Sequence, residues 1–357
     1  MNRRQLVTGS AAILASGVLG GAGLSAKSRN FVVPPEEGQH ERTFMQWPVN
    51  RLVYRDQYFL KLVQNTIADI ANAISEFEPV TLLAARDFHR SILTKVSSNV
   101  ELWDIPTDDL WCRDSGPLFA IRPDGQLVVS HIQFDGWGNK QTHEFDGKIA
   151  ENISDRLSIP LVASGLKGEA GGVEHDGHGL LMAHESSWVN DNRNPGISRD
   201  EIEHHLLAAY GAERMYWSPG VWGEDITDYH IDSLARFTGP GKVVINLPTE
   251  PDTEDSFHLA ALETHRLLMS AGLEVEVIPE PNYRRVKQPD FVASYANYYV
   301  CNGGVVMAQF GDDVTDELAA NAMRRHYPNR EIVSLNVDAL GEIGGGIHCA
   351  TQQMPAT

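Results

Sequence analysis

The chain has 357 residues, 42% of them hydrophobic, with 48 acidic against 29 basic side chains and a formal charge of −19. That length suits two average domains or one large one, and the charge disfavours nucleic acid and anionic membranes, whose binding needs a basic patch. The three cysteines (Cys112, Cys301 and Cys349) are too few and odd in number for a disulfide framework. At least one thiol is therefore unpaired within the chain.

Residues 1–26 come first. Arg3-Arg4, the apolar glycine-rich run Leu6 to Leu24 and the small exit Ser25-Ala26 describe a secretory signal with a twin-arginine start. They predict an exported, periplasmic product. The run has no stop-transfer flank and no later segment has the length and apolarity of a membrane helix, so stable membrane insertion of the mature chain is not expected. Residues 27–357 contain no Pro- or Ser-rich linker and are read as one domain. Within them, five helix-like stretches each precede a short strand-like run. Tyr58–Ser75 leads to Val80–Ala85, and Glu144–Leu157 to Pro160–Ala163. Arg199–Tyr210, behind a Ser198/Glu201 capping box and stopped by Gly211, leads to Arg214–Trp217. Phe257–Ala271 leads to Leu273–Ile278, and Val314–His326 to Glu331–Leu335. From the second unit onward the helices begin about every 57 residues. Further strands are expected at Leu127–Gln133, Val243–Leu247 and Val305–Gln309. The pattern describes α/β units in series; a doubly wound sheet shows the same alternation, but the glycine pairs make no GxGxxG fingerprint.

Four segments carry chemistry. Cys349 follows Gly344-Gly345-Gly346-Ile347-His348, where glycines allow close backbone approach; such a thiol is either an activated nucleophile or an inert buried side chain. In Asp228-Tyr229-His230-Ile231-Asp232, an extended backbone would place His230 and Asp232 on one face, an arrangement for proton transfer beside a bound cation. Trp111-Cys112-Arg113-Asp114 sets an aromatic ring near a carboxylate, which suits a planar cation; a structural Arg113–Asp114 turn reads equally well. Glu169 to Gly179 gathers three acids and two histidines, but with no spacing of a zinc or calcium site.

Taken together and in order, these segments resemble agmatine deiminases and the related bacterial peptidylarginine deiminases over nearly all of residues 27–357. Arg42 to Pro48 resembles the opening motif, Trp111 to Pro117 the W-x-R-D-x-G-P motif, and Asp228 to Phe237 the D-G-H-x-D-x-x-A-R-F motif. The glutamate–glycine–glycine, asparagine and I-H-C-x-T-Q-Q motifs follow at Glu169, Asn297 and Cys349. The resemblance implies a pentein, an α/β propeller of five ββαβ units around a pseudo-fivefold axis. It implies that Asp114 and Asp232 grip a guanidinium and that Cys349 attacks its carbon to form a thiouronium. It further implies His230 as acid and then base, and Glu169 as the group that orients His230. Trp111, Asn297 and Asp228 are the substrate-binding candidates, and no metal or organic cofactor is required.

Three positions depart from the family pattern. Tyr229 replaces a usual glycine beside His230 and is expected to fill part of the pocket. Ala170 interrupts the glutamate–glycine–glycine run, and an asparagine found in some relatives is missing before Cys349. The segment Phe134 to Asn139 holds no arginine for a substrate carboxylate, which favours agmatine over an arginine-containing peptide; export favours the peptide. An amidinotransferase and an exported guanidine-binding protein without catalysis are the rival readings. A homo-oligomer is left open by the sequence, and Cys112 and Cys301 are expected as buried thiols.

Overall fold

The computed structural model describes residues 30–357; the export signal expected at 1–26 lies outside them. The first unit contains β1 (His40–Gln46), α1 (Gln57–Ser75), β2 (Val80–Ala84) and β3 (Val100–Asp104). The second contains β4 (Leu118–Ile121), β5 (Leu127–Gln133), α2 (Ile149–Leu157) and β6 (Leu161–Lys167). The third contains β7 (Val173–His175), β8 (Leu180–His184), α3 (Arg199–Tyr210) and β9 (Arg214–Ser218). The fourth contains β10 (Ala235–Gly239), β11 (Lys242–Leu247), α4 (Ser256–Ser270) and β12 (Glu274–Pro279). The last contains β13 (Tyr299–Val300), β14 (Gly304–Ala308), α5 (Asp313–His326) and β15 (Glu331–Leu335), and β16 (Thr351–Pro355) ends the chain.

These strands form five separate sheets, which removes the doubly wound alternative. In each sheet an antiparallel hairpin-like pair is followed, across a helix, by a parallel third strand, as in β4–β5–β6 and β10–β11–β12. The first sheet is completed from the far end of the chain: β16 lies antiparallel to β1, with Phe44 opposite Gln352. This is a pentein propeller, five ββαβ units in a ring that the C-terminal strand closes.

Local chemistry explains the helices. The Asp56 carboxylate caps α1 by accepting from the Tyr58 N–H, and Leu60, Val63, Ile67, Ile70 and Ile74 recur on its buried face. Asp255 and Asp312 cap α4 and α5 in the same way. The Ser198/Glu201 capping box is present, and Gly211 ends α3 in the left-handed region at φ 65°. The middle strand β14 is buried along its whole length, so it reads as a continuous apolar run rather than an alternating one. The expected helix from Glu144 begins later, at Ile149, after a 3-10 turn at Asp146–Lys148. The Asp146 carboxylate is pinned there by the backbone N–H groups of Asp108 and Asp109, at 2.8 and 2.9 Å, and so cannot join a regular helix face.

Among the described residues, no helix is long and apolar enough to cross a membrane. Cys112, Cys301 and Cys349 are all free and buried.

Candidate active site

The repeat places chemistry at one recurring position, the turn just before the first strand of each sheet. Trp111 and Asp114 precede β4, Glu169 and Gly171 precede β7, and His230 and Asp232 precede β10. Asn297 precedes β13 and Cys349 precedes β16. Five segments far apart in sequence thus meet around the axis.

Gly171 marks where they converge. A Cβ on that residue would stand 2.6 Å from Asp114 Oδ1, 2.9 Å from His230 Nδ1 and 3.2 Å from Asp232 Oδ2, so only glycine leaves the space these groups face. Its backbone N–H donates to Asp114 Oδ1 at 3.3 Å, and His230 Nδ1 lies 3.7 Å from the same oxygen. Across the pocket, the Cys349 thiol is 3.4 Å from Asp232 Oδ2 and accepts from Asn297 Nδ2 at 3.0 Å. The Asn297 Oδ1 in turn accepts from the Cys349 N–H at 3.3 Å, so this one amide fixes both backbone and sulfur. Trp111 borders the nucleophile through Gly345, whose added Cβ would meet the indole ring at 2.6 Å and the Cys349 sulfur at 3.4 Å. The structure therefore brings together Cys349, His230, Asp114, Asp232, Glu169, Trp111 and Asn297.

The charges follow from this burial. Burial raises the Asp114 carboxyl to about 6, with Glu169 and Asp232 pushing the same way against His230 and Trp137. Burial disfavours a charged His230, but Asp114, Glu169 and Asp232 outweigh it and lift the imidazole to about 9. Burial also opposes the charge on Asp232, yet His348 and His230 hold it below its ordinary range. Glu169 is held ionised against burial by Arg193 and His230. Burial, Asp232 and Asp114 together push the Cys349 thiol well above the ordinary thiol range.

Several details differ from the sequence expectation. His230 is extended, but Ile231–Ser233 forms a 3-10 turn, so His230 and Asp232 share the pocket through a turn and not through strand alternation. Asp228, expected at the substrate, is engaged elsewhere: its carboxylate accepts from Lys140 at 2.6 Å, Arg193 at 2.7 Å and the Gly223 N–H at 2.9 Å. Arg193 bridges it to Glu169, with Nε 2.9 and 3.0 Å from the two Glu169 oxygens, and Glu169 reaches His230 Nε2 at 3.2 Å. Arg193 and Glu169 thus stand between Asp228 and His230. Tyr229 does not fill the pocket; its ring stacks on His184 at 4.5 Å and meets Phe257 edge-on at 5.0 Å. Both Asp228 (φ 58°) and Tyr229 (φ 67°) adopt left-handed backbone, which explains why glycine suits that position in relatives.

The acids of the Glu169–Gly179 segment have protein partners. Glu174 pairs with Arg236 at 2.7 Å, and Asp176 caps its own turn by accepting from His178 and Leu180 N–H groups at 2.8 and 2.9 Å. No group of three His, Cys, Asp or Glu side chains able to hold a metal occurs among the described residues. Two contributors were not found from sequence. Trp137 donates its indole N–H to Asp114 Oδ2 at 2.9 Å, and Arg193 carries the Glu169 pairing. The glycines flanking Trp137 were a usable signal, since the turn places Trp137 itself at φ 57°. Arg193 had none.

A five-sheet propeller with cysteine, histidine and paired carboxylates in its central pocket defines a hydrolase of amidine carbon–nitrogen bonds. Residues 32–355 match the Porphyromonas-type peptidyl-arginine deiminases, and the chain belongs to that family. A Streptomyces coelicolor protein assigned as an agmatine deiminase is 35% identical over 338 residues, covering 92% of this chain and 99% of its own. The solved agmatine deiminase of Enterococcus faecalis superposes with a TM-score of 0.84 at 26% identity, over 91% of this chain and 96% of its own. At 11% identity, the dimethylarginine dimethylaminohydrolase of Pseudomonas aeruginosa shares the fold, with a TM-score of 0.52 over 88% of this chain and all of its own.

Proposed function

We propose that this protein is an agmatine deiminase, converting the guanidinium of agmatine into a ureido group with release of ammonia. The observation that carries the reading is the convergence of Asp114, His230 and Asp232 on the space above Gly171, with the Cys349 sulfur 3.4 Å from Asp232. A guanidinium is planar, permanently charged and rich in N–H donors, so two buried carboxylates are its natural clamp.

Binding also answers the problem of the thiol. Asp232 and Asp114 are two of the causes that keep Cys349 protonated, and a cation held between them cancels both. The thiol proton then passes to solvent, and the thiolate attacks the guanidinium carbon, forming the C–S bond and a tetrahedral adduct. His230, protonated at neutral pH, gives its proton to the departing nitrogen; ammonia leaves and an S-alkylthiouronium remains. The neutral imidazole next takes a proton from water, whose oxygen adds to the same carbon. Collapse of this adduct breaks the C–S bond and passes its hydroxyl proton to the sulfur, which releases the ureido product and returns Cys349 and His230 to their starting states. Glu169, fixed by Arg193, orients His230 for both transfers.

The surroundings support agmatine over a substrate with a carboxylate. Arg193 and Lys140 are held by Glu169 and Asp228, while Arg113 and Arg236 are held by Glu36. Each of these four cations already faces a protein carboxylate and is not available to a substrate carboxylate. The test is turnover of agmatine, free arginine and C-terminal-arginine peptides by purified protein, with Cys349→Ala as control. Ammonia and ureido product from agmatine are expected, with the variant below detection but folded. Preferred turnover of peptides would overturn the substrate, and full activity of the variant would overturn the chemistry. Transfer to an added amine instead of water would identify an amidinotransferase.

A further inference from the structure

His348 is buried beside the nucleophile, and the mechanism above gives it no role. Its Nδ1 lies 2.7 Å from Asp232 Oδ2, and its Nε2 lies 3.0 Å from Glu36 Oε2 and 3.8 Å from Glu174 Oε1. An ionised carboxylate only accepts hydrogen bonds, so a ring with a carboxylate on each nitrogen must donate from both. Glu36 is in turn fixed by charge: it pairs with Arg113 and Arg236, each at 3.0 Å, and accepts the Val300 N–H at 2.9 Å. Burial opposes that charge, but Arg236, His348 and Arg113 keep the Glu36 carboxyl well below its usual range. The charged and titratable groups around His348 are Asp232 on the pocket side, Glu36 and Glu174 on the other, Arg236 paired with both of those glutamates, and the buried His175. Arg113 lies beside it, with Nε 3.4 Å from the His348 carbonyl.

We propose that His348 is a positioning residue that stands doubly protonated between Glu36 and Asp232. It holds Asp232 as a carboxylate and fixes the Oδ2 oxygen that lies beside Gly171 and the Cys349 sulfur. Asp232 Oδ1 has only a long 3.4 Å contact from Ser233, so His348 at 2.7 Å is the near partner that orients the carboxylate. The two pocket acids then differ by design of their surroundings. Asp114, with His230 no nearer than 3.7 Å and neutral donors from Trp137 and Gly171, is raised to about 6, whereas Asp232, with His348 at 2.7 Å, is lowered. The inference rests on Asp232 as a substrate-gripping carboxylate.

The test uses agmatine binding to the Cys349→Ala protein, measured by calorimetry from about pH 5 to about pH 8. In that background, binding should weaken on the acid side, with release of one proton from Asp114 for each agmatine bound. Adding His348→Asn keeps one donor toward Asp232 but removes the charge and the link to Glu36. Binding should then weaken with release of a second proton, beginning at higher pH, by about tenfold one pH unit below the point at which Asp232 now ionises. Glu36→Gln should move it the same way without touching the pocket. An unchanged pH dependence in folded variants would overturn the proposal. Absence of any agmatine binding to Cys349→Ala would instead strike the functional reading. In that case, or if the variants fail to fold, 15N-histidine NMR of the parent protein decides. Both His348 nitrogens protonated at neutral pH support the proposal, and a neutral tautomer refutes it.

Discussion

Asp114 and His230 occupy the same pocket wall, both ionise above their ordinary values, and the gap between them sets a working window. Asp114 must be charged to grip a cation and ionises at about 6, while His230 must be protonated to serve the leaving nitrogen and loses that proton at about 9. The expected kcat/KM for agmatine therefore rises with pH through about 6 and falls through about 9, since this ratio reports groups of the free enzyme. Steady-state kinetics from about pH 5 to about pH 10 would check it. A profile without the acid limb would remove Asp114 from the clamp. The side chains that make the first contacts were legible in the sequence because each sits in a short motif. Those that support them were not. Arg193 reaches residues 24 and 35 positions away, and Trp137 reaches back 23, distances over which no local pattern operates.

At the scale of elements, legibility followed length and punctuation. The long helices announced themselves through caps and apolar periodicity, and α3 matched its expected limits because Ser198, Glu201 and Gly211 mark both ends. The first strand of each sheet was harder. β13 has two residues and β7 three, too short for any alternation to show, and each follows a turn crowded with polar site residues. Ser198→Ala tests whether the cap matters as the sequence suggests. It removes the Glu201 N–H acceptor and should cost about 1 kcal/mol. Because Ser198 is exposed and touches no site residue, thermal unfolding should shift down by a few degrees while kcat and KM stay unchanged. A shift in KM would mean that α3 couples to the pocket.

For the whole molecule, ring closure and catalysis share one segment. Cys349 stands two residues before β16, and β16 pairs with β1 from Met45–Thr351 to His40–Pro355. Deleting residues 351–357 opens the first sheet and frees the turn that carries the sulfur. Loss of cooperative unfolding together with loss of ammonia release is expected, read by circular dichroism and product assay. A truncated chain that folds cooperatively and still turns over agmatine would show that the strand merely decorates the ring.

The placement of the site chemistry at one turn per repeat has a practical corollary for altering selectivity. Each turn is anchored to its own sheet, so a graft at a single corner leaves the other four corners supported by undisturbed hydrophobic packing. Engineering toward bulkier or differently charged guanidines can proceed corner by corner. The segment bearing Tyr229 is the first place to begin: its ring already points outward into the space between β8 and α4, so its neighbours can be exchanged while the acid–base pair stays in register.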